Sequence, residues 1–593
     1  MENSTKRIDA AGSHTLLRLR NLLLAASIVT FLLIMMGYVV RSSDAAQACP
    51  DWPTCYGQLS LPSDLAARLQ MVHRGLAALS LGLIVAATVM TWRRFRTFDL
   101  IRRPLSLAVA LTALQVGLGG WLVWSDARPL VSAVHLGLAL AVFSLVLYAT
   151  VSAFYLAAGL QRAGRLAFRS PFARWSVLTL AAIFVLMVSG MLTAGLAESG
   201  AGWLGLGHRL LAGLTAGLAG AMLFSAWRSQ RSQPVILTAA TSAFFLLVGQ
   251  VLIGAVKVGR GFPADLVGLH AASAAALLGA QVVLVVATGW TARSAEEERL
   301  EAQEPLPLKS RLGDFFALSK PIIVALLLVT TYAGMVVGGR QLPGLWLTFW
   351  TLLGGALAAG GASAVNQYLD RDMDGAMQRT ARRPLPAGRL KPAEGLAYGV
   401  GTMLLAFYLL AGFVNLLSAL LALAGMVYYV LIYTIWLKRV TVQNIVIGGG
   451  AGAIPPLVGW AAASGALNIP SLFLFAIVFL WTPPHFWALA LVRRKDYARA
   501  GVPMLPVVQG EQATRWQILL YTIELVALTL LMPILKIAGS LFLVSAIVLG
   551  AWLLWAAWKV YQQGGNKVAW KMYRYSSMYL AFIFLALVVD TFV

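Results

Sequence analysis

Apolar runs of about twenty residues alternate with short basic loops along almost the whole chain. A run of that length crosses the ~30 Å hydrocarbon core of a bilayer as a helix. Eight lie near 21–40, 71–92, 105–124, 131–155, 175–197, 206–227, 235–256 and 267–290. There the pattern breaks. Residues 291–316 carry Glu296, Glu297, Glu298, Glu301 and Glu304, followed by Pro305 and Pro307, and are expected to form a polar cytoplasmic linker. Nine further runs lie near 318–338, 345–365, 396–415, 417–437, 443–463, 470–491, 516–536, 540–558 and 575–592, making seventeen. The expected fold is an all-α polytopic membrane protein, with an eight-span unit over 1–290 and a nine-helix bundle over 317–593.

Composition agrees with this reading. Of 593 residues, 59% are apolar and 12% charged, about half the charged share of a soluble domain. Mean hydropathy is +0.78. Disordered, collagen-like and disulfide-rich secreted classes are excluded. The net charge of +23 would suggest nucleic acid in a soluble protein. Here the cations crowd into short loops, as the positive-inside bias requires, so the expected partner is the lipid bilayer and not nucleic acid. Arg93, Arg94, Arg96, Arg102 and Arg103 fill one loop, and Arg162, Arg165, Arg169 and Arg174 another. Those loops and the amino terminus, with Lys6, Arg7, Arg18 and Arg20, are expected to be cytoplasmic. The 41–70 loop and the short loops near 125–130, 198–205 and 257–266 are then outside. The first run is too long for a signal-peptide core and no mitochondrial presequence is evident, so a prokaryotic plasma membrane is expected.

The first unit repeats itself, as four-helix units of about 20–160 and 170–290. MVHRGLAALSLGLIVA at 71–86 resembles LGHRLLAGLTAGLAGA at 206–221. His73 to His135 is 62 residues, as is His208 to His270; Gln115 to His135 and Gln250 to His270 are both 20. These four are among only six histidines. Each falls near the outer end of an even-numbered span, where an ionisable side chain is costly and usually functional. Zinc would recruit Cys or carboxylates, and none accompanies them. Bis-histidine haem between helices of a bundle fits better, with His73 paired to His135 and His208 to His270. Trp121, Trp124 and Trp203 lie nearby and read as an ordinary interfacial belt. The only cysteines, Cys49 and Cys55, stand in the outer loop, either as a structural disulfide or as a redox-active pair near His73.

Taken together, CPDWPTC at 49–55 and the duplicated HR and H positions resemble haem A synthase over about 1–290. That resemblance implies that His208 and His270 hold a resident haem b. It implies that His73 and His135 flank haem O, whose methyl group is oxidised to formyl, with electrons passing to an acceptor the sequence does not identify. One position departs from the family. Glu is common three residues before the first histidine, and here it is Gln70, which cannot ionise. Asp44, Asp51 or Asp64 in the same loop are candidate substitutes.

The second unit carries a sharper motif. Asn366, Asp370 and Asp374 recur at four-residue spacing and share one helix face. Like charges stacked there repel unless a cation joins them. Mg²⁺ suits one or two carboxylates and bridges substrate phosphates. Arg379, Arg382, Arg383 and Arg389 follow and can hold a diphosphate. A second charged loop contains Arg493, Arg494, Lys495 and Asp496. Lys438 and Arg439 are candidates for the same diphosphate, or for positive-inside anchoring.

NxxxDxxxD resembles the intramembrane prenyltransferase superfamily over about 310–593. LKRVTVQNIVIGGGAGAIPPLVGW (437–460), WTPPHFWALAL (481–491) and DYARAGVPMLPV (496–507) resemble its protohaem IX farnesyltransferase, or haem O synthase, branch. The resemblance implies Mg²⁺ on Asp370, Asp374 and Asp496, farnesyl diphosphate and haem b as substrates, and haem O as product. His485 is either a ligand to the incoming haem or a structural hydrogen-bonding residue. The whole chain then reads as a fusion making haem A for a terminal haem–copper oxidase. A quinone-precursor prenyltransferase joined to a haem-binding electron carrier or chaperone is the alternative.

Overall fold

The computed structural model describes residues 10–43, 45–125, 129–160, 166–195, 202–261, 263–304 and 308–593. Among these, seventeen helices are long and apolar enough to cross a membrane. The chain is an all-α multi-pass membrane protein, and it divides into two compact units at Glu304 and Pro305.

The first unit contains α1 (Ala10–Ser42), α2 (Leu65–Arg94), α3 (Asp99–Trp124), α4 (Pro129–Ala157), α5 (Pro171–Gly195), α6 (Gly202–Ser229), α7 (Pro234–Gly259), α8 (Ala264–Thr291) and α9 (Ala295–Gln303). Helices α1–α4 form one bundle and α5–α8 the second, and α4 packs on α8. On α1, Leu16, Leu19, Leu23, Ala26 and Ile34 are buried, a stripe at helical spacing, while Leu24, Ile28 and Leu32 stay exposed. Both faces are apolar because lipid, unlike water, does not penalise the outer one. Hydroxyl pairs lock the helices instead. Ser27 meets Thr150 at 2.8 Å, and Thr30 meets Ser80 at 2.8 Å.

The expected polar linker is divided between the units: residues 291–304, largely helical, belong to the first, and 308–316 fall in the first helix of the second. Ser294 caps α9 in a reciprocal capping box with Glu297. Glu298 and Glu301 are buried. Glu298 accepts from Gln230 Nε2 at 2.7 Å and from the Phe172 amide at 3.3 Å. Glu301 pairs with Arg293 at 2.6 Å and accepts from the Ser232 amide at 2.8 Å. Glu304 pairs with the buried Arg231 at 3.0 Å. Glu298 and Glu301 therefore satisfy donors at the amino-terminal ends of α5 and α7 instead of facing water, while Glu304 remains exposed.

The second unit contains α10 (Leu308–Leu318), α11 (Pro321–Gly339), α12 (Leu345–Ala376), α13 (Pro392–Phe413), α14 (Leu416–Val427), a π-helical segment (Tyr428–Leu437), α15 (Lys438–Val440), α16 (Asn444–Ser464), α17 (Ile469–Val492), α18 (Arg494–Arg499), α19 (Leu505–Val508), α20 (Gly510–Ile534), α21 (Ser540–Gln563) and α22 (Asn566–Asp590). At 32 residues, α12 is about 48 Å long. It outruns the hydrocarbon core, so one end reaches the membrane boundary. Its position is set by close backbone approach to α13. A Cβ on Gly361 would meet Gly399 O at 2.7 Å, and one on Gly399 would meet Gly361 O at 2.9 Å. Ser363 Oγ and Gln367 Nε2 both donate to Leu318 O, at 2.9 and 2.7 Å, which fixes the end of α10 against α12.

Candidate functional site

In the second unit, Asn366, Asp370 and Asp374 lie on one face of α12 and are all buried. Asn366 Nδ2 donates to Asp370 Oδ2 at 2.7 Å and to Thr434 Oγ1 at 3.1 Å. Thr434 Oγ1 in turn donates to Tyr429 O, five residues back, at 2.8 Å. This is the wide turn of the π segment, which brings Thr434 to the motif. Each carboxylate is closed by a cation. Lys438 Nζ donates to Asp370, and Arg383 pairs with Asp374 at 2.6 Å. Arg439 stands 3.7 Å from Asp370 Oδ1 and donates to Leu369 O at 3.0 Å.

Lys320 escaped the sequence reading. It precedes α11 at φ 49° and donates to Asn366 Oδ1 at 3.0 Å. Burial, then the cations Arg383 and Lys438, push its ammonium down to about 7. A lysine held between Ser319 and Pro321 before a span, not at a helix C-terminus, was the available signal. Tyr429 and Tyr433 stack with centroids 5.6 Å apart beside the same carboxylates.

The second charged loop reaches the first through Tyr497, not Asp496. Arg379 donates to Tyr497 Oη at 3.2 Å and lies over its ring. Asp496 instead faces Arg499 at 3.9 Å. Among the described residues no three His, Cys, Asp or Glu side chains converge, so the expected third carboxylate ligand does not join the pair. Its position in the first turn of short α18 directs it to a local partner. Lys495 and Arg382 are exposed. Arg389 ties its loop to Asp314 at 2.9 Å. His485 is buried between Trp481 and Tyr573, at centroid distances of 4.2 and 4.4 Å, and Nδ1 meets Ser576 Oγ at 2.8 Å. Both ring faces are covered, which fits the structural reading. Two carboxylates still suit Mg²⁺, which fills its remaining positions from phosphate and water. Asp370 Oδ1, buried without a hydrogen bond, is an atom such a cation would take.

In the first unit the four histidines repeat one contact. A Cβ on Gly37 (α1) would lie 3.2 Å from His73 Cε1, and one on Gly119 (α3) 3.4 Å from His135 Cε1. Gly190 (α5) faces His208 at 3.0 Å and Gly254 (α7) faces His270 at 3.2 Å. Each even-numbered helix thus supplies an imidazole and the preceding helix a bare backbone. Gln115 Nε2 donates to His135 O at 2.9 Å, and Gln250 Nε2 to His270 O. His73 and His135 are within electrostatic reach of each other, as are His208 and His270. Among the described residues, Nδ1 of His73, His135 and His270 is buried without a side-chain partner, with the backbone of Leu33 near His73 and that of Gln250 near His270, while His208 Nδ1 meets Ser189 Oγ at 2.8 Å. Paired, half-buried imidazoles, only one of them held by a side-chain hydrogen bond, suit an axial-ligand role.

Cys49 and Cys55 are joined by a disulfide. Gln70, one turn before His73, latches that loop. Its Oε1 accepts from the Cys49 amide at 2.7 Å and its Nε2 donates to Ala46 O at 2.8 Å. Arg74 Nη1 donates to the carbonyl oxygens of Asp51, Pro53 and Thr54. The Trp52 ring lies 3.3 Å from a Cβ on Gly120, beside the glycine that faces His135. The loop is therefore seated beside the first histidine pair. Two of the three carboxylates expected to replace a missing glutamate have other tasks. Asp51 accepts from Thr54 Oγ1 and the amides of Gly57 and Tyr56, which hold its carboxyl below the usual range. Asp64 caps α2 through the Ala67 amide at 2.9 Å. Asp44 lies outside the described residues. Trp121, Trp124 and Trp203 are exposed.

Residues 327–585 match the UbiA prenyltransferase family. Residues 20–204 match a family described as cytochrome oxidase assembly protein. A protoheme IX farnesyltransferase of Roseiflexus sp. (strain RS-1) is 42% identical over 521 residues, covering 83% of this chain and 97% of that protein. One from Chloroflexus aurantiacus is 37% identical over 598 residues, covering 96% and 98%. One from Symbiobacterium thermophilum is 51% identical over 292 residues, covering 49% and 98%.

Proposed function

Because the chain belongs to the protohaem IX farnesyltransferase family, we propose that its two units catalyse consecutive steps of haem A formation in a prokaryotic plasma membrane. The second unit transfers a farnesyl group from farnesyl diphosphate to a vinyl group of haem b. The first oxidises a methyl group of the resulting haem O. The observation that carries the transferase reading is the buried Asn366–Asp370–Asp374 face, with a separate cation on each carboxylate.

Mg²⁺, held by Asp370 and Asp374, would offset the charge of the diphosphate. Arg383 and Lys438 are released from the carboxylates to the departing phosphates, and Lys320 joins them from the α11 end. Arg379, Arg439 and the exposed Arg382 and Lys495 supply the outer cations. The C–O bond to diphosphate breaks, and the vinyl carbon bonds to the farnesyl C1. Water adds to the resulting cation and loses a proton, which leaves the hydroxyethylfarnesyl group. Tyr429 and Tyr433 offer ring faces to the allylic cation and keep water from it.

In the first unit His208 and His270 would hold haem b, which would supply electron transfer when bound. His73 and His135 hold haem O beside the seated disulfide loop. Converting methyl to formyl with oxygen from water releases four electrons and four protons to an acceptor outside this chain. Gln70 holds the loop and moves no proton. The amino terminus is cytoplasmic and the disulfide loop outside, with a terminal oxidase receiving the product.

The test is haem extraction from a host that makes only haem b, after expression of this chain. Haem A supports both activities. Haem O alone supports the transferase and leaves the first unit a haem binder. Only haem B, from folded protein, overturns the transferase reading.

A further inference from the structure

We propose that Lys257, together with Arg209, forms a cationic clamp for the carboxylate side chains of the porphyrin held between His208 and His270. The inference rests on the reading of that pair as a haem site. Lys257 lies one helical turn beyond Gly254 on α7, and Gly254 is the residue against which His270 packs. Residues three apart share a helix face. Lys257 is near enough to act on both imidazoles electrostatically, and Arg209 on His208. Lys257 is half-buried in the last turn of a membrane-spanning helix. It has no hydrogen bond or ion pair with a described residue. A cation in that position is costly unless an anion meets it.

The α1–α4 bundle differs at both positions. Leu122 stands one turn beyond Gly119, where Lys257 stands beyond Gly254. Arg74, the counterpart of Arg209, is engaged by three loop carbonyls. Arg209 is exposed beside His208 and makes no hydrogen bond or ion pair with a described residue. A porphyrin with two propionates therefore finds at the second pair two cations that no described residue engages, and none at these positions of the first pair. The second pair is built to retain its haem, and the first to exchange it.

The experiment uses the full chain, purified in mild detergent with its haem. A low-spin spectrum lost in His208→Ala assigns the haem to the second pair. Haem transfer to excess apomyoglobin and the reduction potential are then compared across variants. Lys257→Leu should speed haem loss roughly tenfold, the loss expected for one charge-assisted hydrogen bond. It should also lower the potential, because a positive charge beside the iron favours the reduced state. Lys257→Arg should restore both. Arg209→Leu, at an exposed position, should act in the same direction and serves if Lys257→Leu folds poorly. Unchanged haem loss and potential in both variants overturn the clamp. Absence of a His208-dependent haem in the unmodified chain overturns the haem reading and the clamp together.

Discussion

Gly190 faces His208 so closely that a methyl group on it would lie 3.0 Å from the imidazole Cε1. The same glycine-to-histidine contact occurs four times, once for each pair of consecutive helices in the first unit. A side chain at Gly37, Gly190 or Gly254 must move the imidazole or part the helices, whereas at Gly119 a methyl group would just touch it. Gly190→Val should lower the content of low-spin haem and destabilise the first unit by about 1–3 kcal/mol. The Soret spectrum and the thermal midpoint of the purified chain check this. A normal spectrum would show that the contact does not position the ligand.

Asp370 and Lys438 hold each other in the second unit. Asp370→Asn removes a cation ligand and leaves Lys438 without its counter-charge. Haem O formation should fall roughly a hundredfold or more. Chelating Mg²⁺ should abolish turnover in the unmodified chain and the residual turnover of the variant alike. Haem O yield from membranes, with and without chelator, reads both effects.

The depressed Lys320 ammonium gives the second unit a pH dependence with a definite sign. A lysine held at about 7 is charged below that pH and neutral above it, and an anionic diphosphate binds the charged form better. KM for farnesyl diphosphate should rise as pH increases past neutrality. Lys320→Arg stays charged and should flatten that rise. A KM that is level from pH 6 to 9 in the unmodified chain would remove Lys320 from the diphosphate site.

Gln70 donates to one loop carbonyl and accepts from one loop amide, a pairing that an ionised glutamate cannot reproduce. Gln70→Glu should therefore loosen the disulfide loop by about 1–2 kcal/mol, the cost of an unsatisfied buried carbonyl. The rate of thiol labelling under mild reductant should increase. An unchanged labelling rate, with haem A yield improved, would instead recast Gln70 as a lost proton carrier.

Glu301 is buried against Arg293 and the Ser232 amide. Glu301→Ala leaves a largely buried guanidinium without its partner, which costs about 3–5 kcal/mol. The first unit should melt earlier, whereas Glu296→Ala, at an exposed position, should change little. Equal midpoints for the two variants would return α9 to the status of a linker.

Some of this was legible before any coordinates. The spans, the duplication and the four histidines show in the sequence because membrane helices must be long and apolar, and a repeated ionisable residue stands out against that background. The NxxxDxxxD face follows from helix periodicity alone. The glycines opposite the histidines were not legible, since nothing in the sequence marks four among 55. The acidic stretch at 296–304 read as solvated because its partners Gln230 and Arg231 lie about seventy residues upstream. Asp496 was assigned by its charge, and only the contact made by Tyr497 shows which side chain of that loop reaches the site.

What the sequence determined by itself is the class of chemistry: imidazoles in pairs, carboxylates on one face, and cations in short loops, all set by residue type and local spacing. What the tertiary structure decided is which groups are already engaged. Gln70 latches a loop, Asp51 and Asp64 close turns and caps, Lys438 and Arg383 neutralise the aspartates, and Lys257 has no counter-charge among the described residues. Hydrogen bonds and ion pairs are formed between groups brought together by helix packing, and that packing joins positions whose separation along the chain carries no local signal.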